Sequence, residues 1–333
     1  MAKVYLTSCC AEDDPPGPGL NEFTRLVACR SIDRFGVHPA VGTPEEADII
    51  IFAEVADISG PTTDRILQSP TFRAFSRKCI QFNPRLKSVP TIPGVYASMS
   101  RRWSVPGHAT SSHYLQTTLE ANDIEVVPHV DKPYLFSFCG STDTWAGRRR
   151  IMNLASGNAL LRDTSTAKDE ITSGSGTESS DYRAGYVRSL HESLFVLCPR
   201  GFGPASLRVF EVIKAGRVPV IISDDWARPT GPDWDSFSVT IREDELDTIP
   251  EVLEALEPRA REMGTRARRA HDEWFAADVS YHRIVEWGMD ILANSATSEA
   301  RSIRRRLTVE HAVRRIARVA KRTITSGARM TRR

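Results

Sequence analysis

Apolar residues in this chain come in short blocks separated by polar, helix-forming stretches. Residues 3–7 alternate and are rich in β-branched side chains, which predicts a first strand. Residues 20–35 place Phe23, Leu26, Val27, Ile32 and Phe35 at the spacing of one helical face. Residues 48–53 contain Ile-Ile-Ile-Phe, a continuous run that predicts a central parallel strand covered on both faces. Shorter strand candidates follow at 79–82 and 124–127, so the first 130 residues read as an α/β unit.

A second unit opens with YLFSFCG at Tyr134, an apolar strand running into a glycine turn. Residues 163–181 are nearly free of apolar side chains and predict a solvated loop. Residues 193–225 then carry a complete β-α-β crossover. Its strand spans 194–198, its turn is Pro-Arg-Gly-Phe-Gly-Pro, its helix spans 205–215 before Gly216, and its second strand spans 218–222.

The length of 333 residues suits two domains, and 41% hydrophobic with 26% charged residues excludes collagen, coiled coil and wholesale disorder. Cys9, Cys10, Cys29, Cys79, Cys139 and Cys198 form no C-x-x-C pair, so free thiols in a reducing compartment are expected. The N-terminal MAKVYLTSCC is too polar for a secretory segment, and no apolar run nears the roughly 20 residues a bilayer span needs. A cytoplasmic protein is therefore expected. The net charge of +2 hides an asymmetry: residues 301–333 hold 12 basic groups against Glu310 (12 − 1 = +11), leaving 32 − 41 = −9 on the rest.

Gly201 and Gly203 would let backbone approach a ligand, and the helix after Pro204 would aim free N–H groups at the same space. The spacing G-x-G-x-x-S matches no dinucleotide fingerprint, and a glycine turn serves packing about as often as binding. Arg208 and Glu211 share a helix face at i, i+3, where a carboxylate could accept from ribose hydroxyls and a guanidinium could grip a diphosphate. A surface ion pair of no consequence is the equal alternative.

The segment CPRGFGPASLRVFEVIKAGRVPVIISDDW resembles the nucleotide-sugar signature of the exostosin family of glycosyltransferases, with its P-x-G loop, S-x-R-x-x-E helix and A-G-x-x-P-V-I-I strand. The resemblance is specific over residues 182–244 and extends loosely back to FSFCGS at Phe136; LNEFTRLVACRSIDRFGVHP in the N-terminal half is similar to bacterial members. It implies an α/β GT-B fold, two Rossmann-like domains facing a cleft, here 1–130 for the acceptor and 131–258 for the donor. C-terminal helices at 259–295 and a basic amphipathic tail at 296–333 complete the expectation. It also implies an enzyme, inverting and metal-independent, that uses a nucleoside-diphosphate sugar, a UDP-sugar, to extend a cell-surface glycan or lipid-linked precursor. A catalytically silent sugar-nucleotide or glycan-binding protein on the same fold is the alternative.

Carried across residue by residue, Glu211 is the ribose ligand, Ser206 and Arg208 hold the phosphate side, and Arg200, Gly201 and Gly203 belong to the donor loop. Arg148 or Arg150, in the run GSTDTWAGRRR, reaches the diphosphate, and Asp224 either touches the donor sugar or caps a turn. No D-x-D is presented from a predicted strand end, so no metal and no cofactor is expected. The base that deprotonates the acceptor should leave a strand end of the N-terminal unit. Glu54 ranks first because it follows the IIIF strand, and Asp14 second; Asp13, Glu22, Asp57, His108 and His113 are further candidates. In the tail, Val309, Ala312, Val313, Ile316, Val319 and Ala320 share one helical side opposite Arg314, Arg315, Arg318, Lys321 and Arg322. Such a helix suits an anionic inner-membrane surface or is merely solvated; nucleic acid is not expected as a partner, because the body is acidic.

Overall fold

A computed structural model of the chain describes residues 1–9, 21–55, 60–119, 121, 124, 126, 134–154, 157–165 and 177–330, without the side chains of 177–181 and 318–330. The chain divides into two compact units, Met1–Ser112 with Tyr281–Arg333, and His113–Ser280. Each is built on a parallel five-stranded sheet with helices, the α/β class expected. No described helix is long and apolar enough to cross a membrane. Among the described residues Cys9, Cys29, Cys79, Cys139 and Cys198 are free thiols.

In the first unit, β1 (Val4–Thr7), β2 (Ile49–Ala53), β3 (Cys79–Asn83), β4 (Gly94–Tyr96) and β5 (Ala109–Ser111) pair in sequential order. Helices α1 (Glu22–Ser31), α2 (Pro61–Gln68) and α3 (Pro70–Phe75) fill the first two connections. Asn21 caps α1 by accepting the Thr24 N–H at 2.8 Å, so the helix starts two residues later than its apolar pattern. Strand β2 is buried throughout, as its composition requires. Its Ile50 and Phe52 cluster with Cys79, Ile66, Phe72 and Phe75 beneath α2 and α3.

A sheet that advances in one direction sends right-handed crossovers to one face, so the other face needs a different cover. Helix α10 (Ala277–Ala293) supplies it: a β-carbon on Gly288 would come within 2.6 Å of Ile80 Cδ1 and 2.7 Å of Ile49 Cδ1. Helix α11 (Ser298–Met330) follows, with Ala300, Ile303 and Leu307 buried and His311 Nε2 3.1 Å from Asp64 Oδ1. The segment 296–333, expected as a separate basic amphipathic tail, is in part a docked element, because the first turns of α11 belong to the core of this unit.

The second unit contains α4 (Leu115–Leu119), β6 (Tyr134–Gly140), α5 (Ala146–Met152), β7 (Ala159–Asp163), α6 (Thr177–His191), β8 (Ser193–Pro199) and α7 (Arg208–Lys214). It continues with β9 (Val218–Ile222), β10 (Val239–Thr240), α8 (Ile249–Leu256) and α9 (Ala260–Trp274). The strand order is β10-β9-β8-β6-β7, which reverses between β6 and β8. Phe136, Phe138, Phe195, Leu197, Val218, Val220 and Ile222 join Ile249, Leu253 and Met263 in its core.

Several boundaries differ from the sequence expectation. The division falls after Ser112, not 130, because Tyr114 and His113 pack on Phe210 and Thr118 Oγ1 donates to the Phe275 carbonyl at 3.0 Å. Within the expected block 259–295, α9 belongs to the second unit, while α10 passes into the first. Helix α6 begins at Thr177, inside the expected loop, and Ile124 and Val126 lie in no strand.

Helix α9 packs against the turn between α7 and β9, where Gly216 has φ of 66° and a β-carbon on Gly264 would lie 2.5 Å from the Gly216 carbonyl oxygen. Gly264→Ala would gain up to about 1 kcal/mol of helix propensity. It would also have to displace backbone, an overpacking cost of about 1–3 kcal/mol, so a net loss is expected. Urea unfolding checks this; an unchanged or raised midpoint would mean that the turn yields freely.

Candidate functional site

Ligands of open parallel sheets bind outside the carboxyl ends of the strands, where strand order reverses. In the second unit that place is bounded by the residues after Gly140, at the end of β6, and after Pro199, at the end of β8. Arg148, 9% exposed on α5, ties the two loops together. Its Nε donates to the Arg200 carbonyl at 2.9 Å, Nη2 to Pro199 at 3.0 Å and Nη1 to Ser141 at 2.9 Å. Burial, with Arg208 and Arg200 nearby, pushes its pKa down to about 9. Its nitrogens are engaged by the loops themselves, so Arg148 shapes the site where a diphosphate contact was expected.

Gly201 sits against this brace: a β-carbon there would meet Arg148 Nη2 at 3.4 Å and Thr144 Oγ1 at 3.6 Å. Gly203 is buried and Phe202, between them, is exposed. Arg200 Nε donates to Glu243 Oε1 at 2.9 Å while its guanidinium lies 5.0 Å from the Trp145 ring centroid. Asp224 and Glu243 are reciprocal, each carboxylate accepting the other's backbone N–H at 3.2 Å, which is the turn-capping reading of Asp224. Arg150 pairs with Asp247 at 3.1 Å, both exposed.

Arg208 differs from these. It opens α7, three residues later than the pattern placed the helix start, and its Nη2 donates to the Cys139 carbonyl at 2.6 Å. A β-carbon at Gly140 would stand 2.5 Å from Nη2, so a larger residue there would push the guanidinium aside. The guanidinium lies 4.9 Å from the Phe138 ring centroid and 6.0 Å from that of Tyr186. Its Nε and Nη1 are buried with no hydrogen-bond partner, a condition that costs about 1–3 kcal/mol per donor and that an anion would relieve. Thr144 Oγ1 and Ser223 Oγ, near the same strand ends, are also buried without partners.

Glu211 and Ser206 are buried at 6% and 7% exposure. Glu211 accepts from Arg183 Nη1 at 3.0 Å and from the Tyr186 hydroxyl at 2.5 Å, so it is no surface partner of Arg208. Burial and the Glu211 carboxylate hold the Tyr186 phenol well above its ordinary pKa, which keeps it a donor. Sequence reasoning missed Arg183, Tyr186, Thr144 and Gly140. The i, i+3 pair in DYRAGY was visible, but 163–181 read as loop and α6 was not anticipated.

In the first unit, Glu54 leaves β2 buried at 4% exposure. Its Oε1 accepts from the Cys9 N–H, and Oε2 is buried without a partner. Asp14, with Asp13 and Asp57, lies outside the described residues. Glu22 is paired with Arg25 on α1. His108 Nε2 lies 2.7 Å from the Pro90 carbonyl and His113 Nε2 2.9 Å from Ser280 Oγ. Burial pushes them down to about 4 and about 3, so both are neutral and weakly basic imidazoles.

The same unit gathers His38, His282 and Glu286, with potential ligand atoms within 4.8 Å of one another. Ala2 N–H donates to His38 Nδ1 at 3.2 Å, and His38 Nε2 lies 2.9 Å from Glu286 Oε1 without hydrogen-bond geometry.

Residues 103–256 match the exostosin GT47 domain. Over 92 residues, 27% of the chain and 24% of the relative, the sequence is 36% identical to an exostosin-1 homolog of Caenorhabditis elegans. Over 80 residues, 23% of the chain and 19% of the relative, it is 34% identical to a probable glucuronosyltransferase of Oryza sativa subsp. japonica. The matches thus span about a quarter or less of those curated relatives. Among solved structures, Anabaena HepE in complex with UDP and glucose aligns over 85% of this chain and 98% of that chain, at 9% identity and a TM-score of 0.46.

The Gly140 to Arg208 contact yields a stability prediction. Gly140→Ala should displace the guanidinium from the Cys139 carbonyl and cost about 1.5–3 kcal/mol, the range for a charge-assisted hydrogen bond. In an Arg208→Ala background the same change should cost much less. A double-mutant cycle by urea denaturation reads the coupling; additive losses would show that the glycine is needed for another reason.

Proposed function

We propose that the protein is a bacterial, cytoplasmic glycosyltransferase that moves a sugar from a nucleoside-diphosphate sugar, a UDP-sugar, to a cell-surface glycan or its lipid-linked precursor. The observation that carries this is Arg208: a buried guanidinium with two unpartnered N–H groups, at the strand-order reversal of a unit largely covered by the exostosin GT47 match. In this reading Nε and Nη1 donate to the diphosphate, whose charge grows as the glycosidic bond breaks, so Arg208 stabilises the leaving group without a metal ion. Thr144 and Ser223 add neutral donors. Glu211, fixed by Arg183 and Tyr186, retains lone pairs for ribose hydroxyls.

Inversion needs one base at the acceptor hydroxyl. Glu54 suits the part, since one carboxylate oxygen is anchored by the Cys9 amide and the other is unpartnered. It takes the acceptor proton as the oxygen attacks the anomeric carbon and the nucleoside diphosphate departs.

Purified protein, calorimetry and a turnover assay with UDP-sugars test the proposal. Glu211→Ala should weaken donor binding by about 1.5–3 kcal/mol, and unchanged affinity would remove it from the site. Arg208→Ala should lower turnover more than affinity, because phosphate charge peaks in the transition state; equal affinity losses for donor and product diphosphate at unaltered turnover would contradict that role. Glu54→Gln should keep donor affinity and reduce transfer by about 10²-fold or more. Full turnover in that variant would move the base elsewhere. Donor binding with neither hydrolysis nor transfer across a broad acceptor screen would leave a sugar-nucleotide-binding protein.

A further inference from the structure

The side of α11 remote from its docked face carries a surface that sugar transfer does not use. The helix docks through Ala300, Ile303, Leu307 and His311, all buried. At about 100° per residue, Val309, Val313 and Ile316 fall nearly opposite that face. They are 64%, 60% and 70% exposed. Single exposed aliphatics need no explanation, but three in register over about 10 Å of one helix side form a stripe. Arg301 and Arg305 are exposed along one edge; Arg306 lies on the other, its guanidinium 5.1 Å from the Trp103 ring centroid.

Charge decides between occupants. Residues 301–333 carry 12 − 1 = +11, so a second copy laid along this stripe would set arginines against arginines. Nucleic acid would satisfy the charge and leave the aliphatic stripe in water, and the described face offers no aromatic for base stacking. An anionic lipid surface satisfies both, since aliphatic side chains enter the acyl boundary while flanking arginines meet headgroup phosphates. We infer that α11 holds the protein on an anionic bilayer surface through Val309, Val313 and Ile316, lying in the plane of the interface with its docked side turned away. The contact is independent of catalysis and, with three aliphatic side chains, is reversible.

Vesicle co-sedimentation of the full chain tests it. At low salt the protein should sediment with vesicles containing phosphatidylglycerol, stay in solution with pure phosphatidylcholine, and be released as salt shortens the Debye length. Val313→Gln with Ile316→Gln should reduce binding at least tenfold, and Arg301→Gln with Arg305→Gln by about fivefold per charge removed. Circular dichroism and melting temperature should not change, because these side chains are exposed. Failure of the unaltered protein to sediment with anionic vesicles at low salt would overturn the inference. So would Val313 and Ile316 variants that bind undiminished, which would mark plain electrostatic adhesion. A dimer in light scattering that the Val313 and Ile316 variants dissolve would assign the stripe to a second copy and overturn it too.

Discussion

The buried guanidinium of Arg148 holds the candidate site in shape. Three backbone carbonyls, Ser141, Pro199 and Arg200, accept from it across two loops that share no direct strand pairing beyond Gly140 and Pro199. Burial takes this charge out of water, with Arg208 close by, so its pKa falls to about 9 although three carbonyls accept from it. What this arrangement secures is position: Arg148 lies against Gly201, and Arg208, a second cation near the first, keeps two buried donors without partners. Arg148 feels Arg208 as a like charge, whereas the burial of Arg208 is outweighed by Tyr186, Cys198 and Glu211, which hold its own pKa up.

The two sheets solve different problems. In the second unit strand order reverses, so the chain itself creates a crevice at the carboxyl edge. In the first unit order never reverses, and the uncovered face with Ile49 and Ile80 is closed by α10. This explains why the C-terminal helices divide: α9 stays where Gly264 can approach Gly216, and α10 goes where Gly288 can approach the isoleucines.

Where one residue type dominated its neighbourhood, the sequence was readable. Ile49–Ala53 announced a buried strand because no other element tolerates that run, and 218–222 did the same. Strands β4 and β5 were invisible, since Gly-Val-Tyr and Ala-Thr-Ser carry no apolar block. They exist because ladder pairing places Gly94 against Gln81, so close that a β-carbon would lie 2.1 Å from the Gln81 carbonyl oxygen. At the site, the i, i+3 relation of Arg208 and Glu211 was legible, but not their partners, which come from α6 and from the Cys139 carbonyl. Arg148 was picked out as a cation, yet its acceptors are main-chain atoms, which a sequence does not distinguish from one residue to the next.

The discontinuity of the first unit has a bearing on how the chain is made. Residues 113–280 form a continuous unit that can collapse as soon as they leave the ribosome, whereas the Ile49 and Ile80 face must wait for Gly288 and the helix that bears it. Until then five strands laid down early present an apolar surface with no cover, the condition in which nascent sheets associate wrongly or recruit chaperones. Synthesis order therefore sets a period of vulnerability that ends only when α10 emerges, and a ribosome stalled before Tyr281 would release a chain with one finished unit and one sticky sheet.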